Sequence, residues 1–177
     1  MRRQLSFALL LIVGIISSAW ADTPWSSSLP WHLKTQFARN VAITSVASGY
    51  IGQWTGKSCK NWVRDTIISA SGSHVVIPPN LDAPYDYMWQ YDSSGHTSGT
   101  NMPIANVLPG YVVQMHLTSG WPHTAIVLGV TSSTITFIES NWDSTPGIDS
   151  DAYVRTRSIT HAQFYSGVTS YSVYVIK

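Results

Sequence analysis

The sequence contains a single cysteine, Cys59, and only 11% of its 177 residues are charged. One cysteine excludes an internal disulfide bond. The 10 basic and 9 acidic residues nearly balance and form no block of like charge, so nothing favours binding to nucleic acid or to an anionic lipid surface. The chain also lacks internal repeats and low-complexity tracts. Its length and these absences favour one compact domain.

Long hydrophobic runs are absent, and the longest, Leu5 to Ile16, is too short for a good membrane span. It follows two arginines and precedes Ala19-Trp20-Ala21, which is the pattern of a secretory signal peptide. We therefore expect residues 1–21 to be removed, and residues 22–177 to form a single catalytic domain of a secreted or periplasmic protein without membrane insertion. An uncleaved anchor helix is the alternative. The sequence leaves the oligomeric state open.

Two helices are predicted in the first half of the domain. Apolar residues recur at four-residue spacing in His32–Ser48, where Leu33, Phe37 and Val41 indicate one apolar helix face. The second helix, Ser58–Ser71, has Ser58 as a natural N-cap and Gly72 just beyond its end.

The second half of the chain is rich in β-forming residues. After a long segment from Val76 to Asn106, rich in Pro, Asp, Asn, Ser and Gly, turn residues separate the runs. Helices followed by strands predict an α+β fold with an antiparallel sheet. The predicted strands are Tyr111–Leu117, Thr124–Val130, Thr134–Ile138, Ala152–Arg157 and Ser172–Ile176.

Cys59 has the features of a nucleophile. Exported proteins usually carry cysteines in even number, so a lone thiol favours a reactive role over that of a small buried hydrophobe. With Ser58 as the cap, Cys59 is the first helical residue, where unpaired backbone N–H groups lower the pKa of a thiol. Its own N–H can also face a developing oxyanion.

A general base and an orienting group follow on the predicted sheet. His123 comes directly after the Gly120-Trp121-Pro122 turn, at the start of a strand, where its imidazole can meet the helix. Glu139 and Asn141 end the next strand, and in a hairpin they lie beside the start of the first. Two residues apart, they share one side of an extended chain, and either can orient His123. His116 in mid-strand suits a packing role, and His96 in the long segment before the sheet is a candidate contact to substrate.

These motifs resemble the CHAP family of amidases and endopeptidases, within the broader NlpC/P60 and papain-like group. The resemblance is carried by Gly52-Gln53, by Gly56 to Val63 around the cysteine, by Leu108-Pro109-Gly110, and by two strand motifs. The strand motifs are His123-Thr124-Ala125-Ile126-Val127 and Ile138-Glu139-Ser140-Asn141.

The resemblance implies a papain-like fold with Cys59 as nucleophile, His123 as base and Glu139 as third member. Asn141 supports or shares that last role, and Gln53 supplies a second oxyanion donor. Tyr111 stands where the family commonly has an acid, and the Tyr85–Trp89 cluster has no counterpart.

The implied activity is hydrolysis of an amide bond through a thioester, with peptidoglycan or a peptide amide as substrate and with no cofactor. The amide lies either between sugar and peptide or within the peptide. Two alternatives stay open: a non-catalytic module that binds peptide or glycan on the same fold, and an acyltransferase that uses the same thioester. Asp143, Asp149 and Asp151 lack the spacing of a calcium loop, and no residues have metal-ligand spacing.

Overall fold

The computed structural model describes residues 28–75, 99–100, 102–142 and 152–177. They form the predicted α+β fold, in which two helices precede an antiparallel sheet. The predicted signal peptide, the Tyr85–Trp89 cluster and the three loop aspartates lie outside the described residues. Within the described ranges, no helix is both long and apolar enough to cross a bilayer.

The described part of the chain contains three helices and six strands. The helices are α1, Gln36–Ser48; α2, Cys59–Ala70; and α3, His161–Gly167, with 3-10 turns at Trp31–Leu33 and Ile104–Asn106. The strands are β1, Gly99–Thr100; β2, Val112–Leu117; β3, Pro122–Val130; β4, Thr134–Ser140; β5, Val154–Thr160; and β6, Val168–Tyr174. Their order in the sheet is β1-β6-β2-β3-β4-β5, and every pair is antiparallel.

The predicted hairpin between the strands of His123 and Glu139 is confirmed. β3 and β4 pair with Ile126 opposite Ile138. The turn between them is closed by a 2.9 Å hydrogen bond from the Thr131 backbone N–H to the Thr134 carbonyl. As a result, the start of β3 and the end of β4 lie at the same edge of the hairpin.

Alternating residues of the strands supply two hydrophobic clusters, one on each face of the sheet. On one face, Ile126 and Ile138 pack with Trp62 and Ile67 of α2. On the opposite face, the central residue is Phe137, whose ring lies 6.2 Å from that of Phe164 in α3. Burial on both faces explains why the central strands read as nearly continuous apolar runs.

The first predicted helix forms, but the expected apolar face was wrong. Leu33, Phe37 and Val41 are 59%, 72% and 43% exposed. The buried side of α1 consists instead of Ala38, Asn40, Ile43 and Ala47. On this side the backbone of α1 at Asn40 closely approaches Gly110, in the turn that leads into β2. The face that meets the rest of the domain is therefore not the one that the four-residue apolar spacing predicted.

Helix α3 was not predicted, although its start carries a recognisable signal. Thr160 and Gln163 form a capping box, in which each side chain bonds the backbone N–H of the other residue. By contrast, the second predicted helix is confirmed almost to the residue. α2 begins after its cap Ser58, and Gly72 beyond its end has a φ of +62°.

Gly110 of the Leu-Pro-Gly motif sits where α1 meets the sheet. Its φ is +85°, which L side chains rarely adopt, and its N–H donates to the Val127 carbonyl at 2.8 Å. A methyl group placed on Gly110 would lie 2.6 Å from the Cα of Asn40. The motif therefore has a packing reason that is independent of any catalytic role.

We expect Gly110→Ala to lower the free energy of unfolding by about 2 kcal/mol or more, because it combines a disfavoured φ with a backbone clash. Urea unfolding monitored by tryptophan fluorescence measures the change. Gly129→Ala in β3 is the matched control, since nothing lies within 4 Å of the added methyl group. Equal effects of the two substitutions would contradict this account of the α1–sheet contact.

Candidate active site

Cys59 is the first residue of α2 and is buried, with 5% of its surface exposed. The preceding loop is held on the sheet by backbone hydrogen bonds, from Gly52 N–H to the Val154 carbonyl at 2.8 Å and from Thr55 N–H to the Ala152 carbonyl at 2.9 Å. Because both ends of this loop are anchored, the start of α2 has a defined position against the sheet. The thiol thus lies at a capped helix start, as the sequence predicted.

His123 is the second residue of β3 and lies between the thiol and a carboxylate. Its Nε2 is 3.1 Å from Oε2 of Glu139, and its ring also makes a side-chain hydrogen bond with Cys59. Since Nε2 faces Glu139, Nδ1 is the nitrogen left for the sulfur. The three residues that the sequence singled out therefore form one connected chain.

The charges of its neighbours raise the pKa of His123 from 6.5 to about 9. Burial is the largest influence and by itself lowers the pKa, because it disfavours the imidazolium. The charge of Cys59 and the hydrogen bonds to Cys59 and Glu139 act in the opposite direction and outweigh it. The raised pKa therefore favours an imidazolium at His123, between the side chains of Cys59 and Glu139.

Glu139 is completely buried, yet its pKa is lowered. Burial acts to raise the pKa, and the hydrogen bonds and charges of His123 and Arg157 outweigh it. Arg157 donates from Nε to Oε1 at 2.6 Å and from its terminal nitrogen Nη2 to Oε2 at 3.0 Å. A two-point contact of this kind fixes both the charge and the orientation of the carboxylate.

Trp142 closes the cluster on one side. The centroid of its ring is 4.8 Å from that of His123 in an edge-on contact with an interplanar angle of 87°. The guanidinium carbon of Arg157 lies 3.4 Å from the centroid of the same indole. One tryptophan thus limits the movement of both cationic neighbours of Glu139.

Arg157 and Trp142 were missed by sequence reasoning. Arg157 lies in β5, where its partner in the register is Phe137, two residues before Glu139 on the same face. No local motif marks an arginine that acts through a neighbouring strand. Trp142 directly follows Glu139-Ser140-Asn141 in the chain. This adjacency to a predicted site residue is the one sequence feature that could have identified it.

The two predicted supporting residues are not hydrogen-bonded to His123 or Glu139. Asn141 has a φ of +59°, so it does not share a side with Glu139 as the extended chain predicted. Its Oδ1 is buried without a hydrogen-bond partner. Gln53 donates from Nε2 to the Gly49 carbonyl at 2.6 Å. Of the two orienting candidates, Glu139 is the one bonded to His123.

No group of three or more His, Cys, Asp or Glu side chains within the described ranges is arranged to hold a metal ion. His96, considered as a substrate contact, lies outside those ranges.

We expect the His123 ring to titrate with a midpoint near pH 9 in NMR spectra of the wild-type protein. In Glu139→Gln the midpoint should fall, because loss of the carboxylate removes a charge that stabilises the imidazolium. For the same reason, the contribution of protonated His123 to stability is complete below pH 6.5 and is lost as the pH rises through 9. A wild-type midpoint at or below 6.5 would contradict the ion pair.

Arg157→Gln should lower the free energy of unfolding by about 3–5 kcal/mol, because it leaves the buried Glu139 carboxylate with one partner fewer. The matched control is Lys57→Gln. Lys57 makes a 2.8 Å ion pair with Asp65, but the two side chains are 47% and 37% exposed, so the loss should stay below about 1 kcal/mol. Urea unfolding of both variants measures the difference. Similar losses would contradict the claim that Arg157 stabilises the buried carboxylate of Glu139.

Comparison with known proteins identifies structures with a similar fold but does not identify a family. No protein-family model matches the chain, and no curated protein matches it. The fold is similar to that of Ly7917, at a TM-score of 0.50 and 18% identity over 76% of this chain. It is equally similar to Ly7917 with the hydrolyzing product of MDP, at a TM-score of 0.50 and 16% identity over 77% of this chain. The chain spans 61% and 62% of the lengths of these two structures, and at such identities the likeness concerns the fold alone.

Proposed function

We propose that this protein is a cysteine amidase or peptidase with a papain-like arrangement of nucleophile helix and sheet. It hydrolyses an amide bond through a thioester, with Cys59 as nucleophile, His123 as acid and base, and Glu139 as the orienting group. The observation that carries the proposal is the connected chain of these three buried side chains, in which Cys59 is the first residue of a helix.

In the first step, the Cys59 thiolate attacks the amide carbonyl and forms a tetrahedral oxyanion. The helix start supports both partners, because its backbone N–H groups have no acceptor within the helix and carry partial positive charge. The Cys59 N–H is the proposed oxyanion donor. Gln53 remains the proposed second donor, a role that requires its amide to leave the Gly49 carbonyl or to use its other N–H.

In the second step, imidazolium His123 gives its proton to the leaving amine as the C–N bond breaks, and an acyl thioester remains on Cys59. Neutral His123 then takes a proton from water, which attacks the thioester and releases the carboxylic acid. Glu139 holds the imidazole in place throughout and stabilises its charged form. Arg157 acts as a positioning residue through Glu139.

We propose peptidoglycan as the substrate and a secreted or periplasmic location for the protein. Three observations support this choice. The sequence motifs resemble the CHAP family, the N-terminal 21 residues have the pattern of a signal peptide, and one structure with a similar fold contains the hydrolyzing product of MDP. These observations are compatible with cleavage of the sugar–peptide amide or of an amide in the peptide.

The activity is tested by digestion of purified sacculi, with the released muropeptides identified by mass spectrometry. We expect Cys59→Ala to reduce release by roughly 1000-fold or more, because the nucleophile is lost. Cys59→Ser is the matched control for packing, and it should also be inactive while it keeps the wild-type circular dichroism spectrum. Equal release by wild type and Cys59→Ala would exclude the thiol mechanism.

Thiol reactivity separates an enzyme from a binding module that kept the fold. At pH 6 we expect iodoacetamide to alkylate Cys59 roughly tenfold or more faster in the wild type than in His123→Ala, because the ion pair maintains the thiolate. Equal rates, together with sacculus binding by Cys59→Ala, would favour the binding module. Release of product only after addition of an amine acceptor, with the amine ligated, would favour the acyltransferase.

A further inference from the structure

A pocket of about 310 Å³ lies on the side of the sheet that carries α3, and neither Cys59 nor His123 lines it. Its walls are formed by β2, β5 and α3 and by Trp142. The volume is at the lower end of the roughly 300–1,000 Å³ of small-molecule sites, so the pocket suits a small ligand. A ligand in this pocket is bound apart from the proposed nucleophile, whatever bond Cys59 attacks.

Most of the pocket wall is apolar. Six apolar side chains line it: Met115, Leu117, Trp142, Ile159, Phe164 and Val168. Leu117, Ile159 and Val168 are only partly buried, so they present apolar surface that a ligand can cover. Thr118 and Ser119 are exposed and add hydroxyl groups at the edge. The wall therefore favours a ligand with an apolar body.

Arg157 is the only ionisable side chain among the described residues that line the pocket. It contacts Glu139 through Nε and Nη2, which lie on one edge of the planar guanidinium. The end of the group carries a second pair of parallel N–H donors, one on each terminal nitrogen. Within the described ranges Nη1 makes no hydrogen bond, and it is not one of the buried polar atoms that lack a partner. This end of Arg157 is therefore accessible to a ligand.

The guanidinium of Arg157 has a fixed orientation. Besides its two bonds to Glu139, its central carbon lies 3.4 Å from the centroid of the Trp142 indole and 5.5 Å from that of the Phe137 ring. A donor pair that is already oriented loses little conformational freedom when it binds a second acceptor. Glu139 compensates the charge of Arg157, so selection of a ligand depends on these paired donors rather than on an excess of positive charge.

We propose that this pocket binds a small carboxylic acid as its anion, with both carboxylate oxygens on the free end of Arg157 and an apolar body against Leu117, Ile159 and Val168. A carboxylate offers two oxygens to the two parallel N–H groups, whereas a primary amide offers one. The same chemistry occurs in a free short-chain acid and at the C terminus of a peptide that ends in an apolar residue.

The bound ligand lies one side chain away from the proposed catalytic histidine. Trp142 lines the pocket, and its ring centroid is also 4.8 Å from that of His123. Arg157 lines the pocket and also bonds Glu139. Binding should therefore change the NMR signals of the Trp142 indole and of the His123 ring.

Binding is measured by NMR titration of the wild-type full chain with hexanoate. We expect saturable shifts of the Trp142 indole signal and no shift at Trp54, which is 59% exposed and does not line this pocket. Hexanamide should bind roughly tenfold more weakly, because it lacks the charge and the second oxygen. Acetate should also bind roughly tenfold or more weakly, because it lacks four methylene groups of apolar contact.

Arg157→Lys tests the paired donors, because it keeps a cation beside Glu139 but removes the planar N–H pair. We expect its dissociation constant for hexanoate to rise roughly tenfold while the circular dichroism spectrum stays that of the wild type. Arg64→Lys is the matched control and should leave the constant unchanged within about twofold, since Arg64 pairs with Asp65 and does not line this pocket. The comparison of hexanoate, hexanamide and acetate on the wild type does not depend on the folding of any variant.

Absence of a saturable shift at Trp142, a response at Trp54 instead, or equal affinity for hexanoate and hexanamide would overturn the carboxylate site. Unchanged affinity in a folded Arg157→Lys protein would do so as well. Between the two sources of the ligand, tighter binding of hexanoate than of N-acetyl-leucine indicates a free acid, and the reverse order indicates a peptide C terminus. None of these results alters the alkylation and digestion tests of Cys59, so this site and the proposed hydrolase activity can fail separately.

Discussion

The carboxylate of Glu139 is the constraint on which the site depends. It has no exposed surface, and transfer of an isolated carboxylate into a protein interior is far too costly to persist without compensation. Arg157 contacts both oxygens, and His123 contacts one of them. The ionised state of Glu139 therefore requires two cations in defined positions, and one of these cations is the proposed catalytic histidine.

This requirement connects three neighbouring strands. Glu139 is the penultimate residue of β4, His123 lies near the start of β3, and Arg157 lies within β5. The antiparallel register brings the three side chains to one face of the sheet. Trp142 then packs its indole against His123 and under the guanidinium, so the charged cluster is held by ring contacts as well as hydrogen bonds. A cluster held this firmly keeps the imidazole in one orientation, as the proposed proton transfer requires.

The loop before α2 fixes the position of the helix start. Its backbone is bonded to Val154, the first residue of β5, and to Ala152 just before it. The loop ends at Ser58, the cap that precedes Cys59. The start of α2 is thus anchored to the strand that pairs with β4, which carries Glu139.

The sequence alone determined the elements that depend on local physics. The Ser58 cap and Gly72 mark both ends of α2, and the turn residues and alternating patterns predict the β3–β4 hairpin. From these, Cys59, His123 and Glu139 followed as candidates. The choice between Glu139 and Asn141 did not follow, because it depends on a left-handed backbone at Asn141 that local pattern does not reveal.

Only the tertiary structure decided how the buried carboxylate is neutralised and which face of α1 is covered. Arg157 reaches Glu139 from a neighbouring strand, and such a contact depends on strand order and register rather than on sequence spacing. The covered face of α1 is the one on which Asn40 meets Gly110 and Ile43 enters the core, and not the apolar stripe of Leu33, Phe37 and Val41. Caps and turns act between residues close in sequence and can be predicted from it. Charge compensation and close packing act between distant segments, so they are determined only when the whole chain is folded.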